Sequence, residues 1–264
     1  MLGFLRGAWH YRHFIYSSIR AEFRNRFSRS RLGGLWMIIH PLVQVLIFSF
    51  ILSGIMAARL PGISSRYAYA IYLMAGTLAW SLFSEIVQRC LSIFIDNANL
   101  LKKMMFPRIC LPLIVTGSAV TANLMLLVAM VLVFVCIGHL PGMTVLSLPL
   151  VVFLNIALAL GFGLTMGVLN VFMRDVGQVV PVLLQVGYWF TPIVYLPQII
   201  PEPYRNWLAL NPLYPLVGAY QDILVFGRMP SFASLAPVCL LAVCMLGIAL
   251  YLFRRSNAEM VDVL

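Results

Sequence analysis

The chain has 264 residues, of which 62% are hydrophobic and only 10% charged, and its formal net charge is +10. That composition excludes a soluble globular domain and an intrinsically disordered chain. The basic excess follows membrane topology and attraction to anionic headgroups, so it does not argue for nucleic acid.

The first 35 residues hold scattered Arg and aromatic residues without a continuous apolar core, which does not match a cleavable signal. Within residues 8–32, Ile15, Ile19, Phe23 and Phe27 recur every four positions. Arg20, Arg24 and Arg31 fall beside that stripe, with Ser17, Ala21 and Ser28 behind it. The pattern predicts an amphipathic helix lying along a membrane surface, with Arg12 and Arg26 snorkelling from its apolar side. Membrane anchoring accounts for the arginines. So does a sharper reading, in which guanidinium forks of Arg20, Arg24, Arg26, Arg29 and Arg31 meet phosphates of headgroups or of a lipid-diphosphate substrate.

Six apolar stretches follow, at 36–58, 67–88, 109–137, 143–173, 177–200 and 231–253. Each reaches the ~20 residues that a helix needs to cross ~30 Å of hydrocarbon. An even number of spans puts both termini on one side. With that side taken as cytoplasmic, fourteen of the eighteen Lys and Arg lie inside, and only Arg59, Arg66, Arg205 and Arg228 lie outside. This asymmetry sets the orientation. No internal repeat or separable soluble domain is evident, so the expected organisation is an interface helix over 1–35 and a single six-span membrane domain over 36–264.

Span one carries His40 and Gln44 one turn apart. In span two Tyr72, Trp80, Ser84 and Gln88 share a face with Gly76, and in span five Gln178, Gln185, Tyr188 and Trp189 align over successive turns. Amides in hydrocarbon need partners or water, so these stripes mark helix interfaces or an aqueous path. Aromatic faces interleaved with amides suit a glycan, although interhelical glue and interfacial aromatic belts account for single residues equally. Gly163 and Gly167, with Gly161 nearby, predict close helix packing, within the chain or between copies.

Two connecting segments stand out. In the loop at 89–108, Asp96 or Asn97 caps a short helix, Pro107 ends it, and Leu100, Leu101, Met104 and Met105 form an apolar side with no membrane to enter. Such a Met-rich face suits a protein partner or this chain's own spans. Near the other side, Pro181, Pro192, Pro197, Pro201, Pro203, Pro212 and Pro215 predict broken or re-entrant helices rather than a straight fifth span. Tyr204, Trp207, Tyr214 and Tyr220 then sit at outer headgroup level, as an external gate over about 201–230. Arg174 and Asp175, at the end of span four, fit a simple ion-paired topology anchor.

The chemistry of catalysis is absent. Lys102 and Lys103 are the only lysines and neither follows Gly, so no GxxxxGK(S/T) phosphate loop exists. There is no HExxH, no GxSxG and no intramembrane carboxylate pair for a proton relay, Glu85 being the one clear carboxylate within a span. The five cysteines have no metal-ligand spacing and read as packing residues. The chain is therefore not expected to be an enzyme or to hold a metal, and any uphill transport needs a separate motor.

Four segments in order, RFSRSRLGGLWMIIHPL at 26–42, NANLLKKMMFPRICLP at 97–112, FMRDVGQVVPVLLQVGYWFTPIVY at 172–195 and LNPLYPLVG at 210–218, resemble permease subunits of bacterial ABC exporters for cell-surface polysaccharides. The O-antigen export permeases are nearest, and capsule and teichoic acid exporters share the patterns. The resemblance implies an all-α permease in the inner membrane, with a cytoplasmic coupling helix and a periplasmic re-entrant hairpin. It further implies a homodimer bound to two copies of an ATP-binding subunit, which would hold the ATP and Mg. Two permeases would then enclose a channel for a polyprenyl-diphosphate-linked glycan. Carried onto this sequence, Asn97, Leu100, Leu101, Lys102, Lys103, Met105 and Phe106 are the coupling candidates, and the resemblance also suggests a place for Arg174 and Asp175 in a cytoplasmic gate. An exporter of small hydrophobic drugs, and a motor-free channel or scaffold, are the alternatives.

Overall fold

A computed structural model describes residues 11–28, 35, 36, 39, 43, 68–103, 110–138, 142–201, 207, 208 and 210–256. All regular structure among them is helical. The first expected span, with His40 and Gln44, lies outside the described residues except for isolated positions. So do Arg29, Arg31, Met105, Phe106 and Tyr204.

The elements in chain order are α1 (Arg12–Ser28), α2 (Ala68–Asp96), the short α3 (Ala98–Lys103), α4 (Cys110–Ile137), a 3-10 turn (Met143–Ser147) leading into α5 (Leu148–Phe172), α6 (Val176–Phe190), α7 (Leu213–Gln221) and α8 (Phe232–Arg255). Four helices are long and apolar enough to cross a membrane: α2, α4, α5 with its leading turn, and α8. Their limits follow local chemistry. Pro112 and Pro149 fall in the first turns of α4 and α5, where a missing N–H costs no helical bond.

The fifth stretch differs from its expected length. The α6 helix stops at Phe190, only 15 residues long, which spans about 22 Å at 1.5 Å per residue. Pro192 cannot continue it, and Thr191 closes its end by donating its N–H (3.0 Å) and its hydroxyl (2.8 Å) to the Gly187 carbonyl. Beyond it the chain makes a 3-10 turn at Pro197–Ile199 and returns through α7. That helix widens into a π turn at Asp222–Phe226 and stops at Gly227, whose φ of +61° is the left-handed conformation favoured for glycine.

The core is built around α2. Of its 29 residues, nineteen are buried, and 72% of its most apolar window is enclosed by the chain, against 22% for α8. Its largest partner is α5, which in turn packs on α8. Glycines permit both approaches. A Cβ on Gly167 would collide with the Cys90 backbone carbonyl, and one on Gly163 would lie 2.9 Å from the Cys90 Cβ. On another face of α5, a Cβ on Gly161 would lie 2.8 Å from the Leu246 backbone nitrogen. The small-residue step therefore serves packing inside the chain, where backbones touch and dispersion contacts accumulate.

Three buried asparagines clamp neighbouring helices onto α2. Asn123 of α4 donates to the Leu78 carbonyl (2.9 Å), while Asn155 and Asn170 of α5 donate to Ala79 (2.9 Å) and Leu91 (2.8 Å). Each amide N–H finds the second lone pair of a helical carbonyl, which makes the side chain tolerable in an apolar interior.

Candidate transport path and coupling surfaces

On α1 the inward side is Ile15, Ser18, Ile19, Glu22 and Phe23, while Arg12, Ser17, Arg20, Ala21 and Arg24 are exposed. The helix seats on α4 so closely that a side chain on Gly117 would strike Ile19. The Arg20 and Arg24 guanidinium groups therefore sit on its open side. The side chain of Arg26 lies outside the described residues.

Glu22 fastens this helix to the bundle. Its carboxylate accepts from Arg89 Nη2 (2.7 and 2.8 Å to its two oxygens) and from Ser118 Oγ (2.7 Å), and Glu85 lies 3.8 Å from Arg89 Nη1. One acidic residue on α1 thus meets a cation of α2 and a hydroxyl of α4. Sequence reasoning passed over Glu22 because it lies off the apolar stripe, and Ser118 because a single serine in an apolar run carries no pattern. The ion pair also explains why α2 continues beyond its expected limit at 88. Arg89 has a counter-charge, so the helix runs on to Asp96.

At that end, Ser92 Oγ donates to Asp96 Oδ2 (2.5 Å), and the Asn97 amide donates back to the Ile93 carbonyl (2.8 Å). The expected short helix is present as α3, and Asn97 closes the helix before it. Lys102 is exposed. Leu100, Leu101 and Lys103 belong to α3, with their side chains outside the described set.

The channel candidates of span two divide. Tyr72 is 2% exposed, and its phenol donates to the Pro192 carbonyl (3.0 Å) with the Tyr195 carbonyl also near (3.2 Å). It joins α2 to the segment after α6. Trp80 is half-buried and meets the Tyr188 ring edge-on, at 5.6 Å between centroids. Ser84 is half-buried, its hydroxyl donating to the Ser81 carbonyl at 3.3 Å, and Gln88 is exposed.

The α6 candidates lie elsewhere. Gln178, Gln185 and Trp189 differ in setting from Tyr188, which is half-buried with its ring perpendicular to that of Trp189. Gln185 and Trp189 are exposed, and Gln178 stands at the open start of the helix. Only Val180 and Leu184 of this helix are buried. Next to it, a largely apolar cavity of about 200 Å³ runs between Trp80, Phe162, Leu183 and Met245.

The gate candidates also separate. Arg174 and Asp175 are exposed in the turn between α5 and α6, where the Asp175 carbonyl accepts the first backbone bonds of α6 (3.0 and 2.9 Å). Trp207 is exposed and Tyr214 half-buried. Tyr220 is fully buried, its hydroxyl 3.4 Å from the Asn155 amide. Two residues that the pattern analysis omitted hold this segment together. Gln221 donates to the Pro192 carbonyl (3.1 Å), and Asn211 donates to Thr191 Oγ1 (2.9 Å) while accepting the Leu213 N–H (3.0 Å). Asn211 precedes Pro212 between apolar runs, a turn signature that the sequence does carry.

The profile of the ABC-2 type transporter family matches residues 13–225, which takes in α1 and nearly every element through the π turn. This chain belongs to the ABC-2 type transporter family. As such it is a multi-pass membrane permease and not itself an enzyme. It is 27% identical over 264 residues, 99% of each chain, to the O-antigen export system permease protein RfbA of Myxococcus xanthus. A Klebsiella pneumoniae protein of the same name is 24% identical over 92% of each chain. The polysialic acid transport protein KpsM of Escherichia coli is 28% identical over 90% of this permease and 92% of its own length.

Proposed function

We propose that this permease is the membrane subunit of an ATP-driven exporter that moves lipid-linked O-antigen polysaccharide across the bacterial inner membrane. The observation that carries the reading is its end-to-end similarity to a named O-antigen export permease, over 99% of both chains. In this reading two copies form the channel and two copies of a separate ATP-binding subunit supply the energy. Both termini face the cytoplasm, as the fourteen-to-four distribution of basic residues supports. The open α6 edge, with Gln178, Gln185 and Trp189, supplies hydrogen bonds and ring faces for a sugar chain. Residues 97–106 receive the stroke of the ATP-binding subunit. The arginines of α1 hold lipid headgroups or the diphosphate of the carrier, and the segment over 201–230 gates the external side.

A capsule exporter is the second reading, favoured by the similarity to the polysialic acid transport protein. Deleting the gene in its host separates these outcomes. Loss of surface O-antigen, with long lipid-linked chains retained inside, is expected; loss of an acidic capsule instead would move the protein to the second reading. A normal surface glycan would remove both and favour a drug exporter.

A further inference from the structure

A cavity of about 260 Å³ with a mixed polar and apolar wall lies where α2, α7, the 3-10 turn at Pro197–Ile199 and the first turn of α8 meet. Four elements line it, with Tyr72 from α2, Gln198 from the turn, Tyr214, Gln221, Asp222 and Phe226 from α7 and its π extension, and Ser234 from α8. Positions 214, 221 and 222 are seven and eight apart, so they return to one face of the helix. Gln221 is held in place by its bond to the Pro192 carbonyl, which leaves its own side-chain carbonyl as an acceptor. The wall therefore combines aromatic rings, two amides, a carboxylate and hydroxyls of tyrosine and serine.

We infer that this cavity binds one neutral sugar unit of the exported glycan on the external side of the permease. The inference rests on the exporter reading and adds a site and a selectivity to it. Three properties carry it. The volume lies just below the ~300–1,000 Å³ of pockets for drug-sized ligands, which suits a single sugar ring and not a lipid tail. Aromatic faces pack on the apolar C–H side of a pyranose, while amides and a carboxylate take its hydroxyl hydrogens. Charge decides between sugars. Asp222 is the only charged side chain among the described residues of the wall. Arg228 lies outside the wall, its guanidinium over the Phe226 ring at 5.6 Å, and from there its charge favours the ionised form of Asp222. An acidic sugar or a phosphate would meet like charge in a partly desolvated space, so neutral hexoses are preferred.

The test uses the permease assembled with its ATP-binding subunit in lipid nanodiscs. Saturation-transfer NMR would measure binding of the methyl glycosides of glucose, galactose and mannose against the methyl glycoside of glucuronic acid. At least one neutral glycoside should bind, with the glucuronide weaker by about tenfold or more. Asp222→Asn should weaken the neutral ligand by about tenfold, the scale of one hydrogen bond to a charged group, and should narrow the preference over the glucuronide. Gln198→Ala truncates an exposed side chain of the turn and should also weaken binding. Equal or tighter glucuronide binding, no glycoside binding, or neutral affinity unchanged in both variants would overturn the assignment. Any of these in a protein whose gene deletion still abolishes surface glycan would remove the cavity site alone, whereas a normal surface glycan on deletion would remove the exporter reading itself.

Discussion

Helices α2 and α6 carry much the same chemistry on paper, and the fold uses it in opposite ways. Both have aromatics and amides aligned over successive turns: Tyr72, Trp80, Ser84 and Gln88 on one, Gln178, Gln185, Tyr188 and Trp189 on the other. The first helix buries nineteen of 29 residues and receives asparagines from two neighbours. The second buries Val180 and Leu184 and leaves Gln185 and Trp189 outside. Polar stripes in an apolar helix are thus of two kinds: those whose partners are already in the chain, and those that still need water, a substrate or another copy. A scaffold should answer to mutation through stability, and a path through transport.

The sharpest way to break that division is Gly167→Leu. Its side chain would push directly on the Cys90 carbonyl, and backbone cannot yield as a flexible side chain can. We expect a loss of about 3 kcal/mol or more in unfolding free energy in detergent; an unaltered value would mean that α5 does not seat on α2 there. Asn155→Ala comes next. It removes the bonds to the Ala79 carbonyl and near the Tyr220 hydroxyl, and should cost about 1–3 kcal/mol. The matched change on the other helix, Gln185→Ala, should stay within about 0.5 kcal/mol of the parent. If both asparagine and glutamine variants lost the same stability, the contrast would fail.

Transport should show the reverse order. Replacing Tyr188 and Trp189 together with Ala should slow glycan export by about two- to tenfold, the scale of aromatic contacts, while ATP hydrolysis by the complex continues. Unchanged export would return these rings to packing roles. At Glu22→Gln the expected loss of stability is smaller than at Gly167 or Asn155. About a quarter of each side chain in its pair with Arg89 is exposed, so screening limits the loss to about 1 kcal/mol or less, and added salt should shrink it further. A salt-independent loss would show that packing against α4 outweighs the charge.

Much of the helical frame is legible in the sequence because continuous hydropathy leaves little choice. The stretches 109–137, 143–173 and 231–253 match α4, the 3-10 turn with α5, and α8 to within two residues. The two larger departures have local causes that hydropathy does not register. Arg89 reads as a boundary charge until Glu22 is beside it, so α2 runs eight residues further. Pro192 ends α6 ten residues before the apolar run does. For the site, periodicity correctly groups residues by face but cannot say what lies opposite. Tyr72 and Tyr220 read as a channel aromatic and a gate aromatic, and each spends its hydroxyl on an internal partner. Asn123, Asn155 and Asn170 are costly amides inside apolar spans, a signal strong enough to have marked them beforehand.

The most direct test of the path assignment is cysteine accessibility at Gln185. In a variant with the native cysteines replaced, Gln185→Cys would be labelled with a water-soluble maleimide with and without a lipid-linked glycan stalled in the complex, and Arg255→Cys would serve as reference. The account predicts that the stalled glycan suppresses labelling at 185 and leaves 255 unchanged. Equal labelling at 185 in the two states would contradict a path along α6.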